Sequence, residues 1–161
     1  ASVKKLNKFN PSKTWNAYVV DMEEVNRELA EIGRGRMVVH RRIMFKVAER
    51  IAEEEGLNGL VTGESLGQKS SQTNWNMEMT SEAVDKPLLR PLLTEDKNSI
   101  TDEAREIGTF EEAEINSACR SLSPEQPATK LKQEDLERLE EEVDFEALVD
   151  KALNSRRQIE L

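Results

Sequence analysis

The chain has 161 residues, enough for one domain with its own core, and 37% hydrophobic, 34% charged and 4% aromatic residues describe a soluble, helix-rich α/β protein filled by aliphatic side chains. No run of about 18 apolar residues occurs and the first residues form no apolar leader, so neither a membrane span nor a secretory signal is expected. A formal net charge of −9 disfavours binding nucleic acid by electrostatics alone, and a single cysteine, Cys119, excludes an intrachain disulfide and fits a reducing, cytoplasmic setting.

Ala1 to Lys13 is basic and polar, and Pro11 ends any helix there. Asn16 to Asp21 reads as a short buried strand, and Met22 to Ile32 as a helix through Val25, Leu29 and Ile32 that stops at Gly33. The strongest helix runs from Arg36 to Glu55, with Val39, Ile43, Val47 and Ile51 recurring every four residues, and Gly56 closes it. A second apolar strand, Leu60-Val61, leads into Gly63-Glu64-Ser65-Leu66-Gly67-Gln68 and then Ser70-Ser71-Gln72-Thr73. Helical character is expected from Gln68 to Val84, and a third strand over Leu88–Leu93, where Pro91 marks the exit. Thr94 or Asp96 caps the next helix, which carries Ile100, Ala104 and Ile107 to Gly108. Glu111 to Thr129 reads as loop, and Glu134 to Asn154 as one or two acidic amphipathic helices on Leu136, Leu139, Val143, Leu148, Val149 and Leu153. Strands alternating with helices imply a parallel sheet with crossover connections.

Ligands of such sheets bind beyond the carboxyl ends of the strands, and helix N-termini offer free N–H groups to phosphates. The Gly63–Thr73 run is such an exit, rich in uncharged donors; Gln68 and Gln72, four apart, share a face if helical. A simple turn at Gly63 and an exposed Gln72 fit the same residues. The long helix places Arg36, Arg41 and Arg42 in its first turns and Glu53-Glu54-Glu55 in its last, against its dipole. That order suits either a solvated charged face or a set of cations kept for an anionic ligand. Lys97 stands at a strand exit, as a phosphate contact or as an ordinary surface lysine. Cys119, beside Arg120, is a candidate thiolate. With His40 the only histidine, neither a serine–histidine–aspartate triad nor a multi-histidine metal site is expected, and no spacing suits zinc.

Taken together, Arg41-Arg42-Ile43-Met44, Val61-Thr62-Gly63-Glu64-Ser65-Leu66-Gly67-Gln68, Ser71-Gln72-Thr73, Leu89-Arg90-Pro91-Leu92 with Asp96-Lys97, and Ala104-Arg105-Glu106-Ile107-Gly108-Thr109 resemble the tRNA 4-thiouridine synthetase family, also called thiamine biosynthesis sulfurtransferases. The likeness runs in unbroken order from Arg36 to Lys130 and loosely to Asp144-Phe145. It implies a Rossmann-like parallel sheet with flanking helices, of the adenine nucleotide alpha hydrolase kind. The implied activity is adenylation of a tRNA uridine with ATP, taken as its magnesium complex, followed by insertion of persulfide sulfur. By position, Arg41, Gly63 and Gln72 fall on the family's ATP contacts, Lys97 on its functional lysine and Cys119 near its persulfide-resolving cysteine.

The chain departs from the family in several places. A Ser-Gly-Gly-x-Asp-Ser pyrophosphate loop, the family's preceding RNA-binding region and its C-terminal rhodanese domain are not among these 161 residues, and Ser117-Ala118-Cys119 stands where some members pair cysteines. The expected organisation is therefore residues 1–130 as a partial adenylation domain, incomplete at its N-terminus, and 131–161 as an acidic helical extension. In that fold the absent strands lie between the first strand here and the other two, so the chain is expected to rearrange, self-associate or pair with an N-terminal partner chain. Implied partners are tRNA and a sulfur donor, either a cysteine desulfurase or a persulfide carrier. The alternatives are a catalytically incomplete nucleotide-binding or assembly subunit, and another ATP-pyrophosphatase acting on a small carboxylate or amide.

Overall fold

The computed structural model describes residues 2–9, 16–113 and 122–159. Helix α1 (Ser2–Leu6) and a 3-10 turn (Asn7–Phe9) precede strand β1 (Ala17–Val19), helix α2 (Glu23–Ala30) and helix α3 (Arg36–Glu54). Strand β2 (Leu60–Val61) leads to a 3-10 turn at Ser70–Gln72, helix α4 (Asn74–Ser81) and strand β3 (Leu88–Leu89). Helices α5 (Lys97–Glu106), α6 (Phe110–Ala113), α7 (Gln133–Glu142) and α8 (Phe145–Asn154) and strand β4 (Arg157–Ile159) complete the described chain.

Helix α3 is the axis of the fold and touches α2, α4, α7 and α8. The four-residue repeat buries Val39, Ile43 and Val47 as expected, and Val38, Phe45 and Ala52 widen the buried face. Val38, Val39, Ile43 and Val47 meet Val25 and Leu29 of α2, Leu136 and Leu139 of α7, and Leu148, Val149 and Ala152 of α8 in one core. Residues on both sides of position 130 thus contribute to the same apolar cluster. The first turn of α3 sits so close to α7 that a Cβ on Gly35 would lie 2.6 Å from Leu139 Cδ1 and 2.9 Å from Leu131 Cδ1. Only glycine fits there without moving those leucines.

The sheet departs from expectation. β2 and β3 pair in parallel, Leu60 opposite Leu88 and Val61 opposite Leu89. β1 does not join them; it pairs antiparallel with β4, Ala17 opposite Ile159 and Val19 opposite Arg157, and is half-buried rather than buried. The acids ending α3 hold this pair. Glu55 accepts hydrogen bonds from the Asn16 amide (2.6 Å) and the Tyr18 hydroxyl (2.5 Å), and Glu54 from Arg156 (2.6 Å). That use explains acids at a helix end whose dipole opposes them. At the other end, Arg36 donates to the carbonyls of Ala30 (3.0 Å) and Ile32 (3.4 Å), serving the C-terminus of α2.

The helix expected over 68–84 shrinks to Asn74–Ser81. Gly67 takes φ +75°, and Thr73 caps α4 by accepting from Asn76 N at 3.3 Å, so no helix passes through 67–73. The third strand stops at Leu89, and α6 adds a helical turn within the expected loop. The acidic segment forms two helices, turning at Asp144, which caps α8 from a left-handed conformation (φ 50°). Among the described residues no helix is long and apolar enough to cross a membrane.

Candidate functional site

The site lies where β2 and β3 end together. Thr62 N donates to the Leu89 carbonyl (2.9 Å), Leu66 N to the Leu93 carbonyl (3.0 Å), and Ser65 Oγ to the Glu95 carbonyl (2.9 Å), so the two exits form one surface. β3 is set in place from below by Glu49 of α3. One carboxylate oxygen accepts from Asp85 N (2.7 Å) and Lys86 N (2.9 Å), and the other pairs with Lys46 (2.8 Å). Burial pushes this carboxyl up, but the Lys46 contact and the two backbone donors outweigh it and hold it below the usual range.

At the centre is Glu64, fully buried on a loop. Arg90 Nε reaches one of its oxygens at 2.8 Å, and the Thr62 hydroxyl donates to the same oxygen at 3.3 Å. Arg41 Nε lies 3.6 Å from the other, and Arg90 Nη2 continues to Ser81 Oγ at 2.9 Å. This buried carboxylate between two arginines is the organising element of the site. Sequence reasoning passed over it because loop carboxylates are ordinarily solvated and Arg90 is 26 residues away.

Glu64 also fixes Arg41. Its Nε faces the carboxylate and its guanidinium stands 5.9 Å from the Phe45 ring, while the two terminal nitrogens make no hydrogen bond among the described residues. The other cations along α3 are engaged inside the chain. Arg42 holds Glu140 (2.5 Å) and the Met79 carbonyl, Lys46 holds Glu49, and Arg50 holds Glu146 (2.6 Å) and Asp150. Of the first-turn arginines offered as cations for an anionic ligand, Arg36 and Arg42 are thus consumed in internal contacts, and Arg41 keeps free donors.

Ser71 and Gln72 are buried in the 3-10 turn against α3, and their side-chain oxygens have no hydrogen-bond partner among the described residues. Leaving such acceptors unmet costs about 1–3 kcal/mol each. Gln68, expected on the same helical face as Gln72, is exposed in a turn instead. A Cβ on Gly63 would meet nothing within 4 Å, and its φ is not left-handed, so neither packing nor backbone asks for glycine there.

Asn76, also fully buried, staples the neighbourhood: its amide donates to Ser70 O (2.7 Å) and Ala128 O (2.8 Å), and its oxygen accepts from Leu131 N (2.9 Å). Lys97 begins α5, exposed. The N–H groups of Asn98 (2.7 Å) and Ser99 (3.1 Å) are already taken by Asp96, so an anion at this end meets the Lys97 ammonium rather than free backbone. The structure therefore gathers Arg41, Gly63 and Gln72 at one strand exit, with Lys97 on the adjoining exit. Cys119 lies outside the described residues. Among those residues no three histidine, cysteine, aspartate or glutamate side chains converge.

His40, next to Arg41, is buried with its Nε2 unpartnered, and burial, with the Arg41 charge second, pushes its pKa down to about 4. An unfolded histidine titrates near 6.5, so between these values only the unfolded chain takes the proton. The neutral imidazole's contribution is complete above pH 6.5 and is lost as pH falls to about 4, on the order of 3 kcal/mol. Urea denaturation at pH 7 and pH 4.5 is expected to show a smaller acid loss for His40→Asn than for the parent chain. Equal losses would contradict the assignment.

The sequence matches the family described as thiamine biosynthesis protein (ThiI) over residues 1–145. It is 42% identical over 130 residues to a probable tRNA sulfurtransferase of Halobacterium salinarum, covering 80% of this chain and 33% of that protein. With the tRNA sulfurtransferase of Thermoplasma acidophilum it shares 40% over 149 residues, covering 91% and 31%. The chain thus spans about a third of the length of these curated relatives. A crystal structure of a 4-thiouridine synthetase–RNA complex with bound ATP superposes with a TM-score of 0.85 at 31% identity, covering 98% of this chain and 43% of that one. The sequence match over nearly the whole length and the shared three-dimensional arrangement agree: this chain belongs to the thiamine biosynthesis protein (ThiI) family.

Proposed function

We propose that the chain is the adenylate-recognising part of an ATP-dependent tRNA sulfurtransferase, acting in the cytoplasm. The observation that carries this reading is the strand exit itself: the free terminal nitrogens of Arg41, the open backbone at Gly63 and the unmet oxygens of Ser71 and Gln72 stand together. In this reading Arg41 meets phosphate, Gly63 lets the nucleotide lie against the backbone, and Gln72 accepts a hydrogen bond from the base or ribose. Magnesium arrives on the ATP phosphates.

The chemistry follows from leaving-group quality. The uridine carbonyl oxygen attacks the α-phosphorus and the α–β anhydride bond breaks, releasing pyrophosphate. Lys97 offsets the charge that develops there. The adenylated oxygen then departs as AMP when persulfide sulfur bonds to the same carbon. Cys119 takes the donor's remaining sulfur into a disulfide, leaving the transferred sulfur on the uridine, and an external thiol reopens that bond. A desulfurase or persulfide carrier supplies the sulfur.

We further infer that β2 and β3 belong to a larger Rossmann-like sheet, of the adenine nucleotide alpha hydrolase kind, completed by further polypeptide from an N-terminal segment, a partner chain or a second copy. Val61 is 70% and Leu89 58% exposed, opposite one another, whereas parallel strands ordinarily have both faces covered. The same exposed face favours a second reading, a nucleotide-binding subunit that acts only once assembled.

Calorimetric titration of ATP and AMP tests the reading. The Gln72 side chain makes no hydrogen bond among the described residues, so Gln72→Ala is expected to leave the melting temperature nearly unchanged and weaken nucleotide binding about tenfold. Absence of binding by the folded parent chain, or equal affinities, would overturn it.

A further inference from the structure

We propose that Trp75 with Lys69, Lys130 and Lys132 forms a landing surface for a single-stranded stretch of RNA beside the nucleotide site. The proposal deepens the tRNA-modifying reading and rests on it for the identity of the partner.

Trp75, the second residue of α4, is 53% exposed, and the Lys130 ammonium stands 3.7 Å from its ring centroid. Lys69 precedes the 3-10 turn and Lys132 precedes α7, both exposed. The two segments are bound into one seam. Thr73 Oγ1 donates to Thr129 O (2.6 Å), and Asn76 joins Ser70, Ala128 and Leu131. Lys130 is thus held over the indole, and Lys69 and Lys132 flank the two segments that these hydrogen bonds join.

Unpaired lysines gather here beside an exposed indole, whereas much of the chain's basic complement is neutralised internally. In a chain of net charge −9, Arg42, Lys46, Arg50, Arg138, Lys151 and Arg156 each hold a carboxylate. Lys69, Lys130 and Lys132 make no ion pair among the described residues. An exposed indole among unpaired ammonium groups matches a polymer that alternates flat bases with phosphates. Bases stack on tryptophan irrespective of sequence, and phosphates give up counterions to lysine. An acidic peptide uses the lysines but has no flat face to offer the indole. Ser71 and Gln72 lie between Lys69 and Trp75 in the chain, so RNA held here enters alongside the nucleotide.

The test uses the whole chain carrying Trp15→Phe, so that Trp75 is the only tryptophan, and a fluorescein-labelled oligouridylate. Binding is expected to quench Trp75 fluorescence. Trp75→Ala, read by anisotropy, is expected to weaken binding about tenfold without altering its salt dependence. Combined Lys69→Ala, Lys130→Ala and Lys132→Ala should flatten the slope of log affinity against log salt by about 2. Lys69, Trp75, Lys130 and Lys132 are exposed, and unchanged circular dichroism and melting of every variant, Trp15→Phe included, would confirm folding. No RNA binding by the parent, or binding unaffected by these substitutions, would overturn the proposal. Trp75-dependent binding of polyglutamate but not oligouridylate would do so too, and would assign the patch to an acidic protein. ATP is titrated in parallel: RNA binding at the patch without ATP binding defeats only the nucleotide-site reading, and ATP binding without patch-dependent RNA binding defeats only this one.

Discussion

Glu64→Ala is expected to lower folding stability by roughly 3–5 kcal/mol, the usual result of removing one side of a buried ion pair. The reason is what it leaves behind. Arg90 is drawn inward by a 2.8 Å contact with Glu64, and Arg41 approaches from α3, so deleting the carboxylate strands cationic charge in a site with little water to receive it. Glu64→Gln separates charge from shape. It keeps an acceptor for Arg90 Nε and fills the same volume, but no longer neutralises either arginine. Its loss should lie between those of the parent and the alanine variant, and its nucleotide affinity should change because Arg41 is no longer held by charge. Urea denaturation at pH 7 reads the first quantity and calorimetry the second. A cost below about 1 kcal/mol for Glu64→Ala would show that solvent reaches both arginines freely.

The second large effect is expected in the core. Leu136 of α7 is fully buried in the cluster that contains Leu29 of α2 and Ile43 of α3. Leu136→Ala should cost about 2–5 kcal/mol, the upper part of that range if the surrounding helices cannot close on the cavity. The variant also reports on cooperativity. If residues 131–161 melt with the rest, a single transition shifts as a whole, whether followed by helix content or by Trp75 fluorescence. If they fold as a separate acidic extension, the substitution moves only part of the helix signal.

How much of this was legible in the sequence depends on whether the signal is local. Helix α3 was, because Val39, Ile43 and Val47 repeat along one face and Gly56 follows its end; so was the cap of α5, which Asp96 supplies. The order of residues Arg41, Gly63, Gln72 and Lys97 carried the family resemblance, and the fold brings the first three to one strand exit. What escaped were relations between distant residues. Arg157-Gln158-Ile159 is too short and polar to read as a strand, and its partner lies about 140 residues away in the sequence. The arginines of α3 invited a ligand-binding interpretation, yet the carboxylates that occupy Arg42 and Arg50 come from α7 and α8. Spacing along one helix carries no information about the charge on the helices packed against it. The thiol chemistry rests on Cys119, outside the described residues, and stands as a proposal.

The pairing of β1 with β4 turns most of the chain into a ring. The ladder from Ala17–Val19 to Arg157–Ile159 closes a loop on which every element from α2 to α8 lies. Joining such remote points is entropically expensive until the helices have drawn them together, although that expense grows only logarithmically with loop length. Contacts of this range belong late in folding. The ladder is therefore a latch set after the helical core forms, and tension applied at the C-terminus would release it before the core yields.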